Sequence, residues 1–184
     1  MPGLPLTPPP DGPGSCSWLI DLSHLPFVHP GLLGSPDHTE VEAADLVRTE
    51  TGFSFSWSRC NPAASGFGRT DELTRQTTEV SLPFAWRLLI ESAATATAVF
   101  VICQPVSGEL ARFWMFVAGR DIDEERATQL AQLHRTITEQ DRVVVESQRP
   151  RLLPIDITEE LHLKGPDAPS LEYRRRLAAL TGPE

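Results

Sequence analysis

The chain has 184 residues and a mass of 20.3 kDa, the size of one domain with at most a tail. Apolar residues make up 40% and charged residues 22%, a globular composition that excludes a wholly disordered chain. A formal charge of −9 gains nothing from phosphate counterions, which argues against a nucleic-acid partner, and no apolar run reaches the roughly 20 residues of a membrane helix.

Residues 1–14 hold six prolines and three glycines and read as an extended, disordered arm, or as the trace of a displaced gene start. No charged stretch followed by an apolar one marks a secretory signal. Ser17 is placed to cap a short helix over residues 18–25, stopped by Pro26, with Asp21 and His24 on one face. Pro30, Gly31 and Gly34 make the next segment a loop.

The period then falls to two. Residues 40–49 alternate loosely, and residues 52–60 alternate cleanly. Phe53, Phe55 and Trp57 lie on one face of that second run, read as sheet core rather than pocket wall, and Ser54, Ser56 and Ser58 on the other. Residues 61–68 are turn-rich, and residues 73–82 read as a polar, solvent-facing strand. Residues 84–91, 95–104 and 110–118 are β-rich, the last two joined by a hairpin with Gly108 at its tip. This is a meander of antiparallel strands, not a βαβ alternation.

A long helix comes next, capped by Asp121 or Asp123, with an apolar stripe of Ala127, Leu130, Leu133, Ile137 and Val144. Pro150 ends it, and a shorter helix lies around residues 171–180. The fold class is α+β: an antiparallel sheet curled around a long C-terminal helix, enclosing an apolar pocket. Cys16, Cys60 and Cys103 are widely spaced with no Cys-x2-Cys, and read as free thiols in a cytoplasmic protein.

Two features carry chemistry. The step after Ile137 lands on Asp141, so a carboxylate occupies a position of the buried stripe and needs a cation, a donor network or a metal. A helix–helix salt bridge meets that need as well. The second feature is Asp21-x2-His24-x4-His29. Five residues along a continuous helix would turn the two imidazoles about 140° apart. Pro26 breaks the helix between them and lets His29 return towards His24. Two imidazoles and one carboxylate are the facial set that holds Fe(II) and leaves coordination positions open. The residues alone leave surface or core histidines as an alternative, and leave Asp21 as a plain helix-surface acid.

Other candidates carry less. His38 is the one spare ligand, and His134 and His162 fit no ligand spacing. Arg149 to Arg151 and Arg174 to Arg176 read as solvated faces or subunit contacts. No nucleophile elbow or phosphate-binding glycine loop occurs.

Residues 20–34, IDLSHLPFVHPGLLG, resemble the mononuclear-iron motif of Rieske non-haem iron, aromatic-ring-hydroxylating oxygenases, in their large (α) subunit. Residues 139–150, EQDRVVVESQRP, resemble the helical segment in which that family carries its third iron ligand, and the aspartate there is Asp141. Residues 156–177 resemble the ending of vanillate O-demethylase oxygenase-like members. The resemblance implies that His24, His29 and Asp141 hold one mononuclear Fe(II). It implies that Asp21 is the carboxylate bridging a ligand histidine to a Rieske-cluster histidine on the neighbouring subunit. It implies a helix-grip (START-like) catalytic domain over residues 15–184 that hydroxylates or O-demethylates a small aromatic or other apolar substrate with O2, in a homotrimer.

Two departures stand beside it. Trp18 occupies the place where the family usually carries Asn, and these residues hold no Cys-x-His or Cys-x2-His pair for a Rieske [2Fe–2S] cluster. The expectation is therefore a catalytic domain without its Rieske domain. It would not turn over alone and would take electrons in trans from a Rieske-domain protein or reductase, unless it is a gene fragment. A non-catalytic helix-grip module binding a hydrophobic ligand is the alternative.

Overall fold

Six strands pair antiparallel in chain order: β1 (Asp45–Arg48), β2 (Gly52–Cys60), β3 (Leu73–Ser81), β4 (Ala85–Glu91), β5 (Ala96–Pro105) and β6 (Ala111–Gly119). This is a computed structural model, and it describes residues 13–41, 43–60, 73–93, 95–107, 110–120 and 122–181. The meander read from the sequence is the observed topology. Directly paired residues share a sheet face. Phe53 therefore stands with Val80, Trp57 with Gln76, and Arg59 with Thr74. Phe53, Phe55, Val80, Trp86, Ile90, Val99, Val101 and Phe113 are buried and form the sheet's part of the core.

The long helix α2 (Glu124–Ser147) is capped by Asp123, whose side chain accepts from the Arg126 backbone N–H at 2.7 Å. Its buried side runs Leu130, His134, Ile137, Thr138, Asp141 and Val145. Val144, expected on the stripe, is 42% exposed, because the step after Asp141 is four residues rather than three. The C-terminal helix α3 (Ala168–Thr181) inserts the fully buried Tyr173, which donates from its hydroxyl to the Pro83 carbonyl at 2.8 Å and packs on Trp86.

Several expectations need correction. Residues 18–25 are not one helix. A 3-10 helix spans Pro13–Ile20, taking in the last two residues of the expected arm, and after a bend comes the one-turn helix α1 (Leu25–Val28). Pro26 begins α1 instead of ending its predecessor, since the first helical turn has no use for the missing N–H. Strand β3 is polar yet not solvent-facing on both sides. Thr74 and Thr78 are fully buried and Gln76 nearly so, because period two sends them inward whatever their polarity.

Arg174 is buried and ion-paired to Glu160, so it is not part of a solvated face. Cys103 is disulfide-bonded, so the reading of three free thiols, and the compartment argued from it, does not stand on the cysteines. The turn-rich loop at 61–68, the hairpin tip at Gly108, Asp121 and residues 1–12 lie outside the described residues. Among the described residues no helix is long and apolar enough to cross a membrane.

Candidate metal centre

His24 and His29 flank α1 as its N-cap and C-cap residues. On a continuous helix their side chains would diverge. Here His29 leaves the helix at φ −117°, ψ 56°, and the two rings meet edge to face at 5.3 Å between centroids. The His29 carbonyl accepts from the N–H groups of Leu32 and Leu33, and Gly34 closes the loop at φ +68°, where an added Cβ would lie 3.1–3.2 Å from Pro26. The loop carrying His29 is thereby folded back onto α1.

Asp141 faces both rings from α2. Its Oδ1 lies 2.9 Å from His29 Nε2 and 3.4 Å from His24 Nε2, and one donor atom from each of the three residues falls within 4.8 Å of the others. All three are largely removed from water: His29 is fully buried, Asp141 is 2% exposed and the His24 side chain 15%. Despite the short separations, His24 Nδ1 and Nε2, His29 Nε2 and Asp141 Oδ2 have no hydrogen-bond partner of acceptable geometry.

The neighbours explain which atoms converge. His29 Nδ1 meets Gln140 Oε1 at 2.9 Å, so Nδ1 carries the proton and the Nε2 lone pair is turned towards the Asp141 carboxylate. A lone pair and a carboxylate oxygen 2.9 Å apart repel unless a cation or proton lies against both. Two imidazole nitrogens and a carboxylate oxygen, with N–O separations of 2.9 and 3.4 Å and all three within 4.8 Å of one another, can share one metal ion through bonds of about 2.1 Å. The donor set therefore fits a mononuclear divalent ion.

Asp21 stands beside this cluster, not in it. Its Oδ1 accepts from the Ser23 backbone N–H at 2.8 Å and from the Ser23 hydroxyl at 2.7 Å. Its Oδ2 lies 3.5 Å from His24 Nδ1, and the side chain remains 37% exposed. Asp21 and His24 are thus juxtaposed by a bend, not by a shared helix face. Burial opposes charge on His24, but the Asp141 and Asp21 carboxylates override it and raise the imidazole to about 9. Burial likewise opposes charge on Asp21, and contact with His24 and Ser23 holds it down to about 2.

The cluster closes one end of a cavity of about 70 Å³ between the sheet and α2. Leu88, Ile90, Val99, Val101, Met115 and Ile137 line it, and Trp57 and Arg59 of β2 border it with Gln76 and His134. Phe53 and Phe55 belong to the core, as expected, and Trp57 to the wall. His38 is exposed and apart from the cluster, and His162 meets Arg174 at 3.0 Å.

Three residues here escaped sequence reasoning. Gln140 adjoins Asp141 and reaches His29 instead. His134 lies two turns before Asp141 on the same helix face. Arg59 continues the Phe53, Phe55, Trp57 alternation by one step. A period-two extension would have exposed Arg59 as a charge on a buried face, as the helical period did for Asp141.

Residues 18–182 match the family described as the vanillate O-demethylase oxygenase C-terminal domain. Methylxanthine N1-demethylase NdmA of Pseudomonas putida is 25% identical over 162 residues, 87% of this chain and 44% of that protein. The probable methylxanthine N7-demethylase NdmC of Pseudomonas sp. (strain TJI-51) is 27% identical over 164 residues, 86% of this chain and 57% of that protein. The chain spans about half the length of these curated relatives. Among solved structures, Pseudomonas putida CBB5 NdmA with caffeine matches with a TM-score of 0.75 at 23% identity, over 94% of this chain and 49% of that one. Dicamba monooxygenase bound to dicamba gives 0.74 at 14% identity, over 97% of this chain and 57% of that one. These structures share the fold of a sheet closed on a long helix. On the family match over residues 18–182, the chain belongs to the vanillate O-demethylase oxygenase C-terminal domain family of Rieske oxygenases.

Proposed function

We propose that this chain is an oxygenase catalytic domain in which His24, His29 and Asp141 hold Fe(II) while an aromatic or other apolar ring substrate, in the adjoining cavity, is hydroxylated or demethylated. The observation that carries this reading is the convergence of three buried, hydrogen-bond-orphaned donor atoms on the wall of a largely apolar cavity. When bound, Fe(II) supplies the activation of dioxygen. Gln140 holds His29 in the tautomer that frees Nε2, and Asp21 orients His24 through Nδ1. The apolar walls hold the ring and exclude water. Asp21 is pinned by Ser23 yet partly exposed, which suits a carboxylate passing electrons between a cluster histidine of a neighbouring subunit and His24. The neighbour is a second copy in a homotrimer, and the electrons come from a Rieske [2Fe–2S] cluster outside these 184 residues.

Anaerobic titration tests the centre. The purified chain should bind one Fe(II), and His24→Ala or Asp141→Asn should lose it. If neither variant loses the ion, the proposal falls. With reductase and NAD(P)H alone the chain should form no product, and adding a Rieske protein should start turnover. Product without a Rieske protein would mean the electron path is misassigned.

A further inference from the structure

We propose that the Arg59 side chain is a gate through which a ligand enters the cavity, swinging outward into the groove between β2 and the loop 34–41. The inference rests on the reading of the cavity as a ligand site. Two spaces adjoin that cavity. One shares with it Trp18, Asp21, His24 and Asp141, so a ligand crossing there would displace two of the three proposed metal ligands and the carboxylate beside them. The other is a groove of about 140 Å³ that shares with the cavity Leu25, Trp57 and Arg59, none of them in the metal cluster. This groove reaches solvent past Thr39 and Glu40, both exposed. The less obstructed route therefore runs through the groove, and three side chains close it.

Of the three, Arg59 is the one free to move. Leu25 is buried in the core cluster, and Trp57 is a rigid ring of β2 packed against that cluster. Arg59 is only 9% exposed, yet its Nε and Nη1 have no hydrogen-bond partner. Among the described residues no acid pairs with it. The contact that holds its charge is the Trp57 ring, whose centroid lies 5.2 Å from the guanidinium carbon. A long, flexible stem held at its tip by one ring is a movable partition.

Opposing terms set its two positions. In the closed position the guanidinium keeps the ring but bears the penalty of a buried charge without an anion. His134 gives it no anion from the cavity side: burial and the Arg59 charge hold that imidazole down to about 4, so it is neutral. In the open position Arg59 loses the ring and regains water. It also meets the carboxylate of Glu40, which lines the groove and makes no ion pair with the closed gate. The buried charge thus works against the ring contact and keeps the closed position shallow. A neutral apolar ligand can then pass, and the returning side chain shuts water out behind it.

The probe is 4-fluorotoluene, a small neutral ring, followed on the metal-free chain by fluorine-19 exchange NMR, which reads association and dissociation rates separately. A gate changes the barrier and leaves the bound and free states alone, so it moves both rates by one factor. Arg59→Ala should raise both rates about tenfold, with Kd within about threefold of native. Arg59→Gln, shorter and uncharged, should raise both by a smaller factor. Glu40→Gln should lower both about two- to threefold, because the open position loses its partner. Thr39→Trp, which fills the groove, should slow both rates, whereas Val144→Trp, which fills the space beside Asp21, should leave both native.

Native rates in both Arg59 variants, or a Kd change carried by dissociation alone, make Arg59 a fixed wall and overturn the proposal. Unchanged rates in Glu40→Gln overturn the outward swing. Slowing by Val144→Trp, with Thr39→Trp at the native rates, puts the entrance beside Asp21 and overturns the route. A native chain that binds no 4-fluorotoluene removes the ligand cavity and the gate with it. Binding at rates indifferent to Arg59 removes the gate and leaves the cavity standing.

Discussion

Two parts of the cavity wall leave different groups unsatisfied. At one, His24 Nε2, His29 Nε2 and the Asp141 carboxylate converge, and His24 Nε2, His29 Nε2 and Asp141 Oδ2 have no hydrogen-bond partner of acceptable geometry. At the other, Arg59 Nε and Nη1 and Trp57 Nε1 have no acceptor among the described residues. The sequence device is the same in both places, a hydrophobic repeat continued one step onto a charged residue. It is Ile137 to Asp141 in the helical period and Trp57 to Arg59 in the strand period. The support differs. Three segments and two neighbouring side chains, Gln140 and Asp21, hold the metal end, whereas the Arg59 end is one cation resting on one ring. A site held from several sides captures an ion tightly; a site held from one side discriminates among ligands that already fit.

If the ends are independent, the largest effect should come from Asp141→Asn. Fe(II) affinity should fall by more than about 100-fold in an anaerobic titration. An unchanged affinity would remove Asp141 from the ligand set. Next comes Gln140→Leu, which frees the His29 tautomer. Metal affinity should drop about 10–100-fold with unchanged secondary structure by circular dichroism. An unaffected affinity would mean that packing alone orients His29.

Asp21→Asn separates orienting from ligating. Iron content should stay within about tenfold of native while turnover with an added Rieske protein slows by a further order of magnitude. Iron loss equal to that of His24→Ala would make Asp21 a prop of the metal site. The pH dependence sharpens the comparison further. In the metal-free chain His24 stays protonated up to about 9, and only neutral imidazole binds metal. Apparent metal affinity should therefore rise about tenfold per pH unit towards 9 and level above it. Over the same range to about pH 8 Arg59, lowered by burial to about 10, remains charged. A metal affinity independent of pH would break the link between His24 and the ion.

The smallest effect concerns the loop that folds His29 back. Gly34→Ala puts a Cβ at φ +68°, 3.1–3.2 Å from Pro26, and should cost about 1–2 kcal/mol in urea melts. A neutral result would show that the loop relaxes without disturbing α1.

Much of the framework could be read in one dimension because periodicity reports burial directly. The bounds of β2 were legible from Phe53, Phe55 and Trp57 against three serines, and α2 from its acidic first turn and apolar stripe. Asp141 was legible as an anomaly for the same reason. The histidine pair was legible as a spacing but not as a geometry, since a cap conformation at His29, and not a helix break before it, brings the rings together. Polar strand β3 misled because Thr74, Gln76 and Thr78 carry no hydrophobic signal although the sheet buries them.

By itself, then, the sequence determined the α+β meander, the long capped helix and the identity of three candidate ligands, because local period and short motifs depend only on neighbours along the chain. Only the tertiary structure decided which nitrogen each histidine turns inward, that Gln140 rather than Asp21 holds His29, and that Arg59 faces the same cavity as Asp141. Those facts depend on residues some 80 to 110 positions apart meeting across the sheet and α2, and such distances leave no trace in any local pattern.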